Sequence, residues 1–230
     1  MTAVVECLGL TLVKGLTWSS PRAVRVETGG VRGDRHWSPV TPDLRCVRAT
    51  DFPTMVGLAV SRADLPTSQD ALFGGEPRTV TYYGRPLRAR VHAGALADRI
   101  SAAAGQRLYL AETAGPGGFL WSSPVSVLLR SELVGLPESI GRFRANVVLD
   151  DREAALTLAP GERLRVGEVV LEVERELERC VIINHDPTTG KRDASLLRRL
   201  RPGALLGYGC RVLQPGRIGV GTSAARQPSA

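Results

Sequence analysis

Lysine is almost missing from this chain of 230 residues: of its 30 basic residues only Lys14 and Lys191 are lysines, and the other 28 are arginines. The net charge of +7 and the isoelectric point near 9.8 raise the question of nucleic acid. The arginines are dispersed, however, and no RNP, helix-turn-helix or zinc-knuckle pattern is present, so no nucleic-acid partner is expected. Cysteine is scarce too. Cys7, Cys46, Cys180 and Cys210 include no C-x-x-C pair, which excludes zinc-finger, thioredoxin and plant-type iron–sulfur readings. No G-x-G-x-x-G follows a strand, so no nicotinamide site is expected. No run approaches the roughly 18 apolar residues of a membrane span. The start, "MTAVVECLGLTLVKGL", lacks the features of a signal peptide. The expectation is a cytoplasmic protein without a membrane partner.

What is present is an ordinary globular composition, 43% hydrophobic with a mean hydropathy of −0.03. Short β-prone runs dominate: 23–28, 78–83, 87–92, 126–130, 145–150, 168–174 and "CVIIN" at 180–184. Most lie between Gly, Pro or Asp, as barrel and sandwich strands do. "YGRP" (83–86) reads as a hairpin turn. Helical signals are few. "ALADRISAAAG" (95–105) puts Leu96 and Ile100 on one face and ends on a glycine suited to a C-cap, and "DASLLRRL" (193–200) predicts a second short helix. Segment 61–77 reads as a long loop, and the tail beyond about Ser223 as frayed. The fold class expected is mainly β with a few short helices.

Four stretches carry candidate chemistry. "LTLVKGL" (10–16) with "GGVRGDRHW" (29–37) offers Lys14, Arg32 and Arg35 beside glycines that admit a ligand close to backbone. Composition alone favours a plainer reading there, a hairpin with a solvated Asp34–Arg35 pair. Ser122 and Ser123 stand at the mouth of an apolar strand, where hydroxyls cap turns or bind phosphate. Arg144 and Asn146, two apart, share a face if they lie on one strand. Finally Cys180 follows Arg179 and precedes an apolar run. A lone Cys beside "VII" is most often a small core hydrophobe, and a nucleophile pair with His185 needs a tight return.

These motifs, in their order, resemble the MOSC family, named for the C-terminal domain of molybdenum-cofactor sulfurase. The resemblance rests on "VKG" (13–15), "RGDRHW" (32–37), "RATDFPTM" (48–55), "SSPVSVLL" (122–129), "RFRANVVLD" (142–150), "ERCVIINHDPTTG" (178–190) and "LGYGCRVLQPGRIGVG" (206–221). The N-terminal part resembles the β-barrel domain that precedes MOSC in the mitochondrial amidoxime-reducing component and its bacterial relatives. The implied organisation is an N-terminal β domain at 1–115, a MOSC barrel at 116–223 and a flexible tail at 224–230.

The resemblance implies a molybdopterin-type molybdenum cofactor, and pyridoxal phosphate is not expected. Lys14, Arg35, Ser122, Ser123, Arg144, Asn146 and Arg179 match its binding positions, and Cys180 matches the molybdenum ligand of the reductase members. Gly15 stands where those reductases usually carry serine, and Glu178 where a small or polar residue is usual. The function implied is an oxidoreductase acting on an N-hydroxylated or similar N-oxygenated small molecule, fed by a separate electron-donor protein. Two alternatives remain open: a sulfur transferase or cofactor carrier using a Cys180 persulfide, and a non-catalytic scaffold that binds another anionic ligand.

Overall fold

The computed structural model describes residues 2–114, 117–136, 140–154, 156–200 and 205–227. Seven strands close into a barrel: β1 (Ala3–Leu8), β8 (Val125–Leu129), β9 (Val147–Asp150), β10 (Arg163–Val166), β11 (Val169–Glu178), β12 (Leu205–Gln214) and β14 (Ser223–Gln227). Their order around the barrel is β1-β14-β10-β11-β12-β8-β9, with β9 pairing back onto β1. Every contact is antiparallel except β8–β9, whose parallel pairing requires the crossover through 130–146. Alternation sets the inside: Leu164 and Val166 of β10, and Val169, Leu171 and Val173 of β11, point into one core with Val5, Val127 and Leu149. Each such side chain contributes roughly 1.5–3 kcal/mol of burial.

Two smaller sheets flank the barrel. One orders β13 (Gly216–Gly219), β2 (Ala23–Glu27) and β3 (Gly30–Val31); the other orders β4 (Trp37–Val40), β7 (Tyr109–Thr113), β6 (Arg85–His92) and β5 (Arg78–Tyr82). Tyr83 (φ 47°) and Gly84 (φ 75°) link β5 to β6 in the left-handed geometry of a two-residue hairpin. The only α-helix among the described residues is α1 (Ala95–Ala104), which buries Leu96, Ala97 and Ile100 and ends on left-handed Gly105. Segment 61–77 contains short 3-10 turns and no strand. No helix among the described residues is long and apolar enough to cross a membrane.

Four expectations change. The barrel takes β1 from the N-terminus, so its strands lie on both sides of the division expected at 115. Residues 224–227, expected to fray, instead belong to β14, which pairs with β1 and β10 on its two edges. The rest of that tail, 228–230, lies outside the described residues. "CVIIN" is not a strand: β11 ends at Glu178, and Val181–Asn184 make a 3-10 turn. Ile183 drives this by packing with Leu128, Phe143, Val148 and Leu196 on the outer face of β8 and β9, while Asn184 Oδ1 accepts from the Leu197 N–H at 3.0 Å. The helix expected at 193–200 shrinks to one 3-10 turn, Leu196–Arg199.

Candidate functional site

Asp34 organises the site. Its carboxylate, with a side chain only 1% exposed, accepts from the Thr11 N–H at 2.8 Å, from Asn146 Nδ2 at 3.0 Å and from Arg35 Nη1. The solvated Asp34–Arg35 pair favoured by composition is thus a buried hub, because Asn146 and the 10–16 segment close over it. Asn146 is used up inside: Oδ1 accepts from Ser126 N and Oγ, each at 3.0 Å, and Nδ2 also reaches Gly9 O at 3.3 Å. It therefore holds the site together rather than facing a ligand. Arg144 and Asn146 do not share a strand face. Arg144 has φ 54° and precedes β9, and its guanidinium turns to Leu16 O and Thr11 Oγ1.

The cations converge through these links. Arg35 Nη2 donates to Arg144 O at 3.1 Å, and Arg179 donates to Phe143 O and Leu206 O, both at 2.8 Å. The Lys14 N–H bonds Trp37 O at 2.7 Å, and its Nζ sits 5.1 Å from the Tyr82 ring centroid and 5.5 Å from that of Tyr83. Burial, then repulsion by Arg35 and Arg144, pulls the Lys14 amine down to about 7. Burial also pulls Arg144 and Arg179 down to about 10, with Arg35 adding to the effect on both; Cys180 acts on each in the opposite direction. The four cationic side chains share this region with two carboxylates, Asp34 beside Arg35 and Glu132 near Arg179, so cations outnumber carboxylates there.

Three buried donors there have no partner among the described residues: Arg144 Nη1, Arg179 Nη2 and Ser123 Oγ. Such groups cost roughly 1–3 kcal/mol each when unsatisfied, and a ligand that accepts from them recovers that energy. Arg35 and Arg144, like Tyr83, adopt the left-handed backbone that non-glycine residues avoid, strain of the kind that gathers at binding sites. Two glycines of β12 make room. A Cβ on Gly209 would lie 2.4 Å from Ser123 Oγ, and one on Gly207 would lie 2.7 Å from Val127 O and 3.0 Å from Arg179 Nη2.

Cys180 is exposed, in extended backbone at the start of the 181–184 turn. Burial raises the other thiols, Cys7 and Cys46 to about 11 and Cys210 to about 12. Ser122 is exposed, next to the half-buried Ser123. Glu178 is exposed at the end of β11, paired with Leu205. Gly15 has φ 86°, so a serine there would find ordinary contact with Ala49 Cβ at 3.5 Å but a disfavoured backbone. Sequence reasoning missed Asp34 as the hub and the aromatic wall of Tyr82, Tyr83 and Trp121. Only the Tyr-Tyr pair at a hairpin turn hinted at that wall. No three His, Cys, Asp or Glu converge on a metal site among the described residues. A metal at Cys180 would need the rest of its donors from a ligand that carries it.

The chain thus combines a closed barrel, a buried cluster of cations around Asp34 and one exposed thiol at Cys180. Residues 122–224 match the MOSC domain. That family is associated with molybdenum-cofactor binding, and its members are often molybdenum-associated enzymes. Among solved structures, the YuaD protein of Bacillus subtilis aligns over 100% of this chain and 98% of its own, at 16% identity and a TM-score of 0.51. That likeness shows the fold. YiiM of Escherichia coli aligns over 47% of this chain and 56% of its own, at 19% identity and a TM-score of 0.35. No curated protein matches the sequence at a significant level.

Proposed function

We propose that this protein binds a molybdopterin-type molybdenum cofactor and reduces an N-hydroxylated or similar N-oxygenated small molecule. The observation that carries the reading is the set of three unpartnered buried donors, Arg144 Nη1, Arg179 Nη2 and Ser123 Oγ, amid like-charged Lys14 and Arg35. Phosphate and pterin oxygens supply the acceptors and negative charge that these groups lack. Lys14, Arg35, Arg144, Arg179 and the Ser122–Ser123 hydroxyls would hold the cofactor, Asn146 would brace Asp34 beneath it, and Cys180 would ligate the metal. When bound, the cofactor supplies a two-electron redox centre on a thiophilic metal.

The overall reaction consumes two electrons and two protons, breaks the substrate N–O bond and releases the oxygen as water. A separate electron-donor protein supplies the electrons, since the chain carries neither a dinucleotide motif nor iron–sulfur spacing. Lys14, with its amine drawn to about 7, is able to hold or release a proton near neutral pH, and charge on the ligand decides which.

The test is metal and pterin analysis of protein made in a cofactor-competent host. Molybdenum and pterin near one per chain in the native protein, both lost in Arg144→Met, is the expected result. Protein free of both, from a host that loads other molybdenum enzymes, sinks the reading. A second reading, sulfur transfer through a Cys180 persulfide, draws on the exposure of that thiol. Reduction of an amidoxime with an artificial donor favours the first; persulfide formation without reductase activity favours the second.

A further inference from the structure

The wall of the pocket that the cations leave unused is aromatic. Tyr83 is 39% exposed and Trp121 62% exposed, yet their ring centroids lie only 4.1 Å apart, inclined by 51°. Tyr82 packs edge-on to Tyr83 at 4.7 Å and is fixed from behind, its hydroxyl donating to Phe119 O at 2.9 Å and its ring meeting that of Phe119 at 5.7 Å. One side of the pair is therefore anchored and the other faces solvent. Scattered exposed aromatics need no explanation, but a paired, anchored set at a site does. The set is continuous with the proposed site: Lys14 Nζ lies 5.5 Å from the Tyr83 centroid, and Trp121 immediately precedes Ser122 and Ser123. Burial raises the Tyr83 hydroxyl, opposed by Arg48, and Cys180 is among the neighbours near enough to add to the rise. Tyr83 holds its ring there from a left-handed backbone, φ 47°, that tyrosine disfavours.

We propose that Tyr83 and Trp121 form the specificity wall of this site, and that its substrate carries a planar π-system that stacks on them with its N-oxygenated group toward Cys180. The inference rests on the reductase reading for the reacting group, and on the aromatic pair alone for the ring. Two-faced rings of fixed orientation reward flat, conjugated ligands and give an aliphatic chain only nonspecific contact. A protein docking on the same rings is the competing occupant. It is disfavoured because Tyr83 is within 5.5 Å of the buried Lys14 amine, which places the pair beside the cation cluster.

The test compares benzamidoxime with acetamidoxime, which share the reducible group and differ in the ring. Binding to the full chain is measured by calorimetry and by fluorescence, and turnover by oxidation of an artificial donor. Benzamidoxime is expected to bind at least tenfold more tightly than acetamidoxime and to quench tryptophan emission. In Trp121→Ala and in Tyr83→Leu that preference falls about tenfold, in binding and in the kcat/KM ratio of the two compounds. Ring-dependent binding without turnover upholds the aromatic wall and removes the reductase reading. Equal binding of the two compounds, or a preference that survives both substitutions, overturns the inference. So does a Trp121→Ala protein that keeps the preference and loses only its response to a protein electron donor.

Discussion

Substituting Lys14 tests the electrostatics of the pocket most directly. Burial, with Arg35 and Arg144 repelling it, brings the amine from its ordinary 10.5 to about 7. In the ligand-free protein it is therefore mostly neutral by pH 8, whereas a bound anion favours the ammonium. Anion binding above pH 7 must draw in a proton, so affinity falls as pH rises. If only the charged form binds well, protonation drops from half at pH 7 to about 1% at pH 9, which weakens binding up to about fiftyfold, or about 2 kcal/mol. Sulfate is the suitable probe because its own charge is constant over this range. Calorimetry in a Cys180→Ser background removes the one exposed thiol from the comparison. Stability of the ligand-free protein has the opposite sign. A lysine whose folded pKa lies below its unfolded value penalises folding fully below about pH 7, and the penalty fades as pH rises toward 10.5. Lys14→Met should abolish the affinity slope and leave in stability only the opposite contribution of the raised thiols Cys7, Cys46 and Cys210 above about pH 8, so the difference between the two proteins isolates Lys14. Sulfate affinity that is flat from pH 7 to 9, or an unchanged slope in Lys14→Met, would refute the assignment.

Asp34→Ala should lower stability by roughly 3–5 kcal/mol in urea melts, because it strips the buried partner from Arg35, Asn146 and the Thr11 N–H; a loss below about 1 kcal/mol would show that the hub is not structural. Gly207→Ala should disturb Arg179 as well as the fold, since the new methyl meets Val127 O and Arg179 Nη2 and glycine alone is at ease at φ 75°. Its signature is sulfate affinity reduced beyond what Arg179→Met causes; unchanged affinity and melting temperature would contradict it. Iodoacetamide at pH 8 should label Cys180 first and leave Cys7, Cys46 and Cys210 largely unmodified, as mass spectrometry can show. Cys180→Ser should keep the melting temperature within a degree or two while abolishing turnover.

Local pattern was enough for some of this protein. Alternating valines and leucines in 168–174 specified β11, because side chains two apart must share a face. Leu96, Ile100 and Gly105 specified α1 and its end, and Tyr-Gly marked the turn between β5 and β6. The order of the motifs likewise pointed to the MOSC domain now matched at 122–224. Elsewhere only the tertiary structure decided. "CVIIN" has the composition of a strand, but Ile183 gains more from the packing on the outer face of β8 and β9 than from a ladder. "SAARQ" has almost no apolar signal, yet β1 and β10 offer it hydrogen bonds on both edges, and backbone pairing needs no apolar side chain. Asp34 reads as a surface acid until Thr11 and Asn146, 23 and 112 residues away, close over it. Tyr83 and Trp121 are unremarkable letters 38 positions apart whose rings meet at 4.1 Å. Periodicity reports on neighbours along the chain; charge burial and ring pairing depend on distances through space, which barrel closure and the flanking sheets fix.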